Sequence, residues 1–382
     1  MTRIGFAYNQ KPEPAAPAQE PSRGDDEPPS SGPRDAGAAS APSTLVAAAA
    51  PGSEDDEFAE WDGPATIAAV EQALSLHGEV IRLEATDDFP VHLRDTRPDI
   101  VFNIAEGLRG PNREAHVPAI CEFYGIPYSG SDPFTLALCL DKSRTKEILR
   151  AHGVPTADWT LVRSRADLGA LKRRSWHTPL FAKPVHEGSS KGITERNLVS
   201  SFAELDALVR DLLERYQQPV IVEEFLPGAE FTCGVLGNGA GARVLPLVGM
   251  NFAALPQGAL PIYGFEAKWL WDRAEDPLDI FECPARIPES LRSEIDSVVH
   301  RTFIALGCRD WARIDVRLDA SGRPNVVEVN PLPGILPDAA DNSCLPKAAR
   351  AAGLGYDALI GACLEAAAAR HGVALGGTRD AA

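Results

Sequence analysis

The feature that most constrains this chain is a segment in which two strand-like runs carry polar residues around a short turn. It reads RIDVRLDASGRPNVVEVNPLPG over residues 313–334. Apolar and polar residues alternate on both sides of the turn ASGR, which predicts a β-hairpin. With that turn, Asp315 pairs with Glu328 and Arg313 pairs with Asn330. Side chains two residues apart share a face, so these four polar groups converge on one surface.

The opposite face of the predicted hairpin is apolar and is expected to enter the core. Its members are Ile314, Val316, Val327 and Val329. Facing carboxylates destabilise a strand pair unless a cation lies between them. Asp315, Glu328 and Asn330 offer the hard oxygen ligands that Mg²⁺ accepts together with substrate phosphates. The alternative is an ordinary hairpin with a solvated charged face.

Composition narrows the class of protein. A chain of 382 residues is long enough for two or three domains with substantial cores. Its net charge of −17 argues against a nucleic-acid partner. No apolar run is long enough for a bilayer, and the start MTRIGFAYNQ lacks a signal peptide's apolar centre. Seven scattered cysteines without a C-x-x-C motif indicate a reducing compartment. We therefore expect a cytoplasmic protein with no membrane partner.

One segment near the N-terminus differs from the rest in composition. Residues 11–57 consist mainly of Pro, Ala, Ser, Gly and acidic residues, with almost no aromatic or β-branched side chain. Such a segment buries too little apolar area to offset its ordering entropy, so it is predicted to be a disordered insert. It follows a predicted strand, RIGFAY, and precedes a predicted helix. Residues 373–382 are predicted to be a flexible tail.

Beyond the insert, strand and helix patterns alternate, which indicates an α/β chain. The predicted strands cover residues 79–85, 99–104, 178–185 and 219–226, with a hairpin over 230–249 that turns at 237–241. The predicted helices cover residues 62–77, 114–124, 141–152, 201–216, 288–306 and 356–371.

A second informative segment is FAKPVHEGSSKGI, residues 181–193. Lys183 on a strand beside a loop rich in glycine and hydroxyls suits a polyphosphate. The same letters fit the G-x-S-x-G elbow of serine hydrolases, with Ser190 as nucleophile and His300 or His371 as base. An elbow needs a helix directly after its serine, whereas the β-branched, polar ITERNLV follows here. A mobile surface loop with a solvated lysine is the third interpretation.

Other segments are suggestive only in combination. In VIVEEFLPGAEFT the backbone of a strand connector suits an adenine, and a carboxylate there suits a ribose. Glu223 and Glu224 would otherwise be solvated charges at a strand end. Lys268 in YGFEAKWLW is either a phosphate ligand or a snorkelling surface lysine. Lys142 lies at a predicted helix start, where a lysine more often faces solvent than serves a function. Neither a P-loop nor a G-x-G-x-x-G motif is present, so those nucleotide folds are disfavoured.

Taken in order, these motifs resemble the ATP-grasp ligases, and within them the D-alanine–D-alanine ligases. GIPYSGSDPFTLALCLDKSRTK and LPKAARAAGLGYDALI add to the likeness, which spans about residues 99–370. The resemblance implies an α/β (α+β) ATP-grasp fold with a Rossmann-like N-terminal domain and a two-lobed ATP-grasp domain. The implied divisions are 1–130, a central lobe at 131–222, a C-terminal lobe at 223–372 and the tail.

The resemblance also implies roles for individual residues. Lys142, Lys183 and Lys268 would bind the phosphates of ATP. Glu223, Glu224, Phe225 and Leu226 would meet adenine, and Glu230 the ribose. Asp315, Glu328 and Asn330 would hold two Mg²⁺ ions, or Mn²⁺ in their place. Arg313 would stabilise the reacting acyl phosphate, Ser189 would close over it, and Ser343 would meet the second substrate's carboxylate.

The implied activity is ADP-forming ligation of a carboxylate to an amine through an acyl phosphate. Its partners would be small amino-acid-like molecules, and a homodimer is compatible with the resemblance. One expected residue, an N-terminal glutamate that meets the first substrate's amine, cannot be assigned, because FAYNQKPEP runs straight into the predicted insert. Glu106 and Glu114 are the candidates to replace it. The alternatives are a true D-alanine–D-alanine ligase of cell-wall synthesis, the serine hydrolase, and a nucleotide-binding protein without catalysis.

Overall fold

A computed structural model describes residues 1–12, 58, 60–173, 176, 179–264, 266–272 and 278–376. The predicted insert at 11–57 lies outside the described residues apart from its first two positions, and the predicted tail lies outside them beyond residue 376.

The N-terminal part is a parallel three-stranded sheet in the order β2–β1–β3, as the Rossmann-like prediction requires. Strand β1 is buried along nearly its whole length because helices cover both faces of the sheet. Its elements are β1 (Arg3–Tyr8), α1 (Pro64–Ser75), β2 (Glu79–Glu84), α2 (Phe89–Thr96), β3 (Ile100–Asn103) and α3 (His116–Tyr124).

The central part is an antiparallel sheet in the order β4–β7–β5–β6. Its elements are α4 (Pro133–Leu140), α5 (Lys142–Ala151), β4 (Trp159–Val162), α6 (Leu168–Arg173), β5 (Leu180–Pro184), β6 (Leu198–Val199), α7 (Phe202–Tyr216) and β7 (Val220–Glu224). The side chain of Asp141 caps α5, because it accepts hydrogen bonds from two backbone N–H groups in the first turn of the helix. Lys142 lies in that same turn. Ser201 and Glu204 form a capping box that starts α7.

The C-terminal part is a second antiparallel sheet in the order β11–β10–β8–β12–β13, with β9 paired to β8. The predicted hairpin over 230–249 is present, but its return strand is divided into β9 and β10. The elements are β8 (Glu230–Leu236), β9 (Arg243–Val244), β10 (Val248–Met250), β11 (Phe281–Glu282), α8 (Glu289–Ala305), β12 (Trp311–Leu318), β13 (Pro324–Asn330), α9 (Cys344–Ala351) and α10 (Tyr356–His371).

The last helix joins the C-terminal part to the N-terminal part. Leu359 and Ile360 of α10 share one apolar core with Ile67 and Val70 of α1. At the end of the same helix, Arg370 forms an ion pair of 2.8 Å with Asp310, which is fully buried. The shared apolar core therefore packs the C-terminal part against the N-terminal part.

The predicted division between residues 222 and 223 falls inside a strand. Glu223 and Glu224 still pair with β4 and β5, because the hydrogen-bond ladder of β7 continues to its last residue. We therefore propose to place the division in the connector at residues 225–229. Several short elements, α2, α4, β4, α6 and α9, were not predicted. Within the described residues, no helix has the length and apolarity needed to cross a bilayer.

Candidate active site

The hairpin has the predicted register at its polar positions. Arg313 pairs with Asn330 and Asp315 pairs with Glu328 across the β12–β13 ladder. The predicted convergence of these side chains is therefore confirmed, since they share one face and line one cavity.

The apolar face of the hairpin departs from the prediction at one position. A bulge after Asp315 makes Val316 pair with Val326 instead of Val327. One extra residue in a strand reverses its alternation, so Val326 enters the core and Val327 lines the cavity. The prediction for Val327 was wrong for that reason, whereas Ile314, Val316 and Val329 are buried in the core as expected.

The cavity has a volume of about 440 Å³ and lies among the three sheets. All sixteen predicted site residues line it: Ser189, Lys142, Lys183, Glu223, Glu224, Phe225, Leu226, Glu230, Lys268, Arg313, Asp315, Glu328, Asn330, Ser343, Glu106 and Glu114. These residues come from all three parts of the fold, so the cavity exists only after the parts have packed together.

Two of the predicted lysines at the cavity wall are buried and paired with acids. Lys142 Nζ lies 2.8 Å from Glu328 Oε1, and Lys183 Nζ lies 3.1 Å from Glu223 Oε2. Burial alone would raise the pKa of Glu328, but Lys142 and Lys183 outweigh it and lower that pKa to about 2. Burial lowers the pKa of Lys268 to about 8, and the Arg313 charge adds to the effect. This wall presents several cations to whatever binds there.

Lys146 is a site residue that was not predicted. Its Nζ lies 2.6 Å from Glu223 Oε1, so Glu223 is held between Lys146 and Lys183. These two cations outweigh burial and lower the pKa of Glu223 to about 2. Lys146 follows Lys142 by one helical turn, a spacing that could have indicated it. The Glu223 carboxylate thus fixes two lysines, while the main chain beside it borders the cavity.

The oxygen atoms at the hairpin suit a magnesium ion. Asp315 Oδ1 is buried without a hydrogen-bond partner among the described residues, while Oδ2 lies 3.0 Å from Arg313 Nη2 and 3.5 Å from Asn330 Nδ2. Burial raises the pKa of Asp315. In the described part of the chain, no group of three His, Cys, Asp or Glu side chains has the arrangement needed to hold a metal ion. A hard cation here would therefore complete its shell with amide, phosphate and water oxygens, as Mg²⁺ commonly does.

At another end of the cavity, a strand connector and an arginine form the wall. Phe225 and Leu226 follow β7, and Glu230 opens β8. Arg317 Nη1 lies 2.7 Å from Glu230 Oε2, and its guanidinium carbon lies 4.6 Å from the centre of the Phe225 ring. Arg317 was not predicted, although it continues the alternation of Arg313 and Asp315 along β12.

The loop that carries the serines, residues 186–192, does not form a nucleophile elbow. Ser190 Oγ donates to the Tyr263 carbonyl at 3.1 Å, and the next α-helix is α7, which begins at Phe202. The two proposed bases lie away from the cavity, since His300 is on α8 and the His371 ring contacts Tyr128. The serine-hydrolase alternative is therefore not supported.

The same loop is held against the N-terminal part by charges. Lys191 Nζ lies 3.1 Å from Glu60 Oε2 and 2.7 Å from Glu187 Oε2. Glu60 also lies 2.7 Å from Arg113. A Cβ atom at Gly188 would lie 2.3 Å from Glu60 Oε1, so the close approach of loop and acid depends on glycine. Glu60 was not predicted, because it stands just after the insert and its neighbours in sequence carry no motif.

The wall near Glu60 contains the two acids proposed to meet an amine. Glu114 is 9% exposed, and its carboxylate forms no ion pair or hydrogen bond within the described residues. Burial raises its pKa to about 7, and the Glu60 charge contributes. The pKa of Glu106 is also raised, by burial and by the Glu114 carboxylate. A buried and a half-buried carboxylate side by side, with Arg113 only partly offsetting their charge, form a wall that favours a positively charged group.

Ser343 lies at the N-terminus of α9. Its Oγ accepts a bond from the Leu336 N–H at 3.1 Å and donates to the Gly334 carbonyl at 3.3 Å. The hydroxyl therefore ties the segment after the hairpin to α9 at the cavity edge. Its predicted contact with a substrate carboxylate stays a prediction.

Comparisons with known proteins agree on one family. The family model D-ala D-ala ligase C-terminus matches residues 148–365. A D-alanine–D-alanine ligase of Acidovorax ebreus is 36% identical over 68% of this chain and 74% of its own length. An uncharacterised protein of Sinorhizobium fredii, y4sG, is 37% identical over 71% of this chain and 75% of its own length.

Solved structures resemble the chain over nearly its whole length. A D-alanine–D-alanine ligase of Bacillus anthracis complexed with ATP has a TM-score of 0.65 and 21% identity, with 97% of this chain and 99% of that chain covered. The VanG D-Ala:D-Ser ligase of Enterococcus faecalis has a TM-score of 0.65 and 20% identity, with 96% and 99% covered. At 20–21% sequence identity, these similarities show a shared fold.

Proposed function

This chain belongs to the D-alanine–D-alanine ligase family and is an ADP-forming carbon–nitrogen ligase with the ATP-grasp fold, and from that premise we propose that it joins two amino-acid-like substrates. The fold, the family and the enzyme class predicted from the sequence are confirmed. The nature of the two substrates and the role of each residue are the substance of the proposal.

The observation that carries the proposal is the meeting of three kinds of group in one cavity. Buried lysines, a hairpin with two carboxylates and an amide, and a separate acidic wall all face the same space. Lysines suit phosphates, the hairpin oxygens suit a divalent cation, and the acidic wall suits an amine. A hydrolase would need neither the lysines nor the hairpin oxygens. A nucleotide-binding protein without catalysis would not need Arg313.

The lysines would hold the phosphates of ATP. Lys142 and Lys183 now neutralise Glu328 and Glu223, and bound phosphate would share these cations. Lys268 would lie near the transferred group, where its pKa of about 8 allows it to be charged at neutral pH. The fold places all three before ATP arrives, so little reorganisation is needed.

Asp315, Glu328 and Asn330 would hold Mg²⁺, with two ions proposed and Mn²⁺ able to replace them. The unpartnered Oδ1 of Asp315 supports this assignment. When bound, the metal would neutralise phosphate oxygens as charge shifts during transfer. The protein's own contribution is to hold these oxygens rigidly on two paired strands.

The reaction would proceed in two steps. A carboxylate oxygen of the first substrate attacks the terminal phosphorus of ATP, which gives an acyl phosphate and releases ADP. The amine of the second substrate then attacks the acyl carbon, loses a proton and expels phosphate. Arg313 would stabilise the negative oxygen that forms at that carbon, and Ser189 in the loop would help to exclude water.

The acidic wall would recognise the amine of the first substrate. Glu114 and Glu106 would supply the counter-charge for an ammonium group, since both line the cavity and no glutamate for this role can be assigned in the N-terminal segment FAYNQKPEP. The wall differs from the one the resemblance implies, so we propose that D-alanine with D-alanine is not the best pair. The competing proposal is a true D-alanine–D-alanine ligase of cell-wall synthesis with a rebuilt amine site.

The test is a screen for phosphate release with Mg-ATP over pairs of D- and L-amino acids, with product masses recorded. The proposal expects ADP, phosphate and a dipeptide-like product from at least one pair. If D-alanine alone released phosphate faster than every other pair and alanyl-alanine were the product, the competing proposal would replace it. The screen should include diamines and short peptides as the amine component.

A further inference from the structure

Arg317 shares a wall with residues predicted to bind the nucleoside, yet no role has been assigned to it. It lies on the cavity face of β12, four residues beyond Arg313. At about 3.3 Å per residue in a strand, it stands roughly 13 Å from Arg313. That distance separates it from the predicted site of phosphate transfer.

The contacts of Arg317 fix its guanidinium in one orientation. Nη1 lies 2.7 Å from Glu230 Oε2, directly across the ladder to β8, and Nη2 donates to the Pro261 carbonyl at 2.9 Å. The planar group lies between the rings of Phe225 and Phe252, at 4.6 and 5.2 Å from their centres. An arginine has five N–H donors, and these contacts use some of them. Arg317 is only 6% exposed.

One donor of this buried group is left over. Arg317 Nε is buried and has no hydrogen-bond partner among the described residues. A buried donor without a partner is unfavourable, so an arginine placed only for packing could be replaced by an apolar side chain at little loss of stability. The buried charge, paired with Glu230 at the cavity wall, therefore indicates a ligand at this part of the cavity.

The neighbours of Arg317 identify that ligand. Glu230 is the predicted ribose residue, and Phe225 belongs to the connector predicted to meet adenine. The ion pair with Arg317 uses Oε2 of Glu230 and fixes the direction of the carboxylate. A carboxylate held in this way can accept from two neighbouring hydroxyls, which is the arrangement a ribose presents.

We propose that Arg317 is a positioning residue of the nucleotide site that orients Glu230 toward the ribose hydroxyls. This inference rests on the use of ATP in the proposed function. It assigns the arginine a part in affinity for the nucleotide, and none in the bond-making steps at Arg313.

The experiment measures Mg-ADP binding by calorimetry, which does not depend on knowing the amino-acid substrates. Arg317→Met, which keeps the length of the chain but no donor, is expected to weaken binding about 10- to 100-fold, as the loss of hydrogen bonds from a charged group implies. Arg317→Lys keeps the charge without the fork and is expected to fall between. Arg323→Met, at an exposed arginine on the same hairpin, is the matched control and should bind as the unchanged chain does.

Deoxy analogues separate this role from a merely structural one. The unchanged chain should bind Mg-ADP more tightly than its 2′-deoxy and 3′-deoxy forms, because each lost hydroxyl removes a bond to Glu230. In Arg317→Met that preference should shrink toward equality, since Glu230 is no longer held. A general loosening of the fold would weaken all three ligands by the same factor.

The inference is overturned if Arg317→Met binds Mg-ADP within about twofold of the unchanged chain, or if its preference for the ribose hydroxyls is unaltered. If Arg317→Met does not fold, the same two criteria apply to Arg317→Lys. A failure of the unchanged chain to bind Mg-ADP would overturn the proposed function, and this inference with it.

Discussion

Glu328 on the hairpin of the C-terminal sheet forms an ion pair of 2.8 Å with Lys142, which is buried in the first turn of α5. One is a predicted metal ligand and the other a predicted phosphate ligand, so each serves as the other's counter-charge in the free protein. Arrival of a metal and a phosphate would let both residues exchange partners without leaving a buried charge unpaired. The pair also ties the central sheet to the C-terminal sheet.

Glu328→Gln is expected to reduce turnover by on the order of 10²–10³-fold, because one charge is lost where transition-state charge is neutralised. The fold should persist, since the amide keeps the shape of the side chain. Steady-state kinetics and the Mg²⁺ dependence of ADP binding provide the measurement. Glu294→Gln, at an exposed acid on α8, is the control. Near-normal turnover in Glu328→Gln would remove the metal assignment.

Ser190→Ala is expected to keep most of the activity, since its hydroxyl donates to the Tyr263 carbonyl and to no reacting group. The lost hydrogen bond should lower the free energy of unfolding by about 1 kcal/mol. Activity and chemical denaturation of the same preparation check both statements. An inactive but folded Ser190→Ala protein would contradict this assignment.

Lys191→Gln is expected to loosen the serine loop, because Lys191 joins it to Glu60 at 3.1 Å. Water should then reach the acyl phosphate, so that ADP is released without ligated product in a larger share of turnovers. Comparing ADP formed with product formed measures this share. Arg196→Gln removes an exposed cation just beyond the loop and is the control. Equal coupling in Lys191→Gln and the unchanged chain would show that the contact does not guard the cavity.

Glu114 should give the enzyme a pH dependence near neutrality. Its pKa of about 7 lies above the usual value of a glutamate, so the carboxylate becomes protonated as the pH falls below 7. If it accepts an ammonium, kcat/KM for that substrate should fall on the acid side of about pH 7, and Glu114→Gln should lose this limb. A pH profile that Glu114→Gln leaves unchanged would argue against the amine contact.

The raised pKa of Glu114 also predicts how stability depends on pH. Activity is expected to fall at low pH, whereas the contribution of Glu114 to stability falls at high pH. Because the pKa is raised in the folded chain, Glu114 favours folding at low pH, and that contribution is lost as the pH rises through about 7. Glu114→Gln should therefore have a higher melting temperature than the unchanged chain at pH 8, with little difference at pH 5. Thermal unfolding at the two pH values provides the measurement.

Deletion of residues 13–55 is expected to leave the melting temperature nearly unchanged. The segment has the composition of a chain that forms no packed core, so its removal takes away no buried apolar area. Glu60 lies beyond the deleted residues and keeps its contacts with Arg113 and Lys191. A loss of cooperative unfolding would show that the segment is part of the core.

Local patterns in the sequence determined the hairpin and its polar register. Two strands joined by a short turn leave few ways to pair, so alternation alone placed Asp315 opposite Glu328. The same is true of α10, whose predicted bounds at Tyr356 and His371 agree with the structure. Motifs in a family-specific order then indicated which side chains would share one cavity.

Tertiary structure alone decided how those side chains pair. The ion pair of Lys146 with Glu223, the contact of Glu60 with Arg113 and the contact of Arg317 with Phe225 all join elements distant in the chain. Such contacts depend on how sheets pack against one another, and periodicity within a single element carries no information about that packing. A buried charge takes its partner from whatever the fold brings within about 3–4 Å of it, which local sequence does not specify.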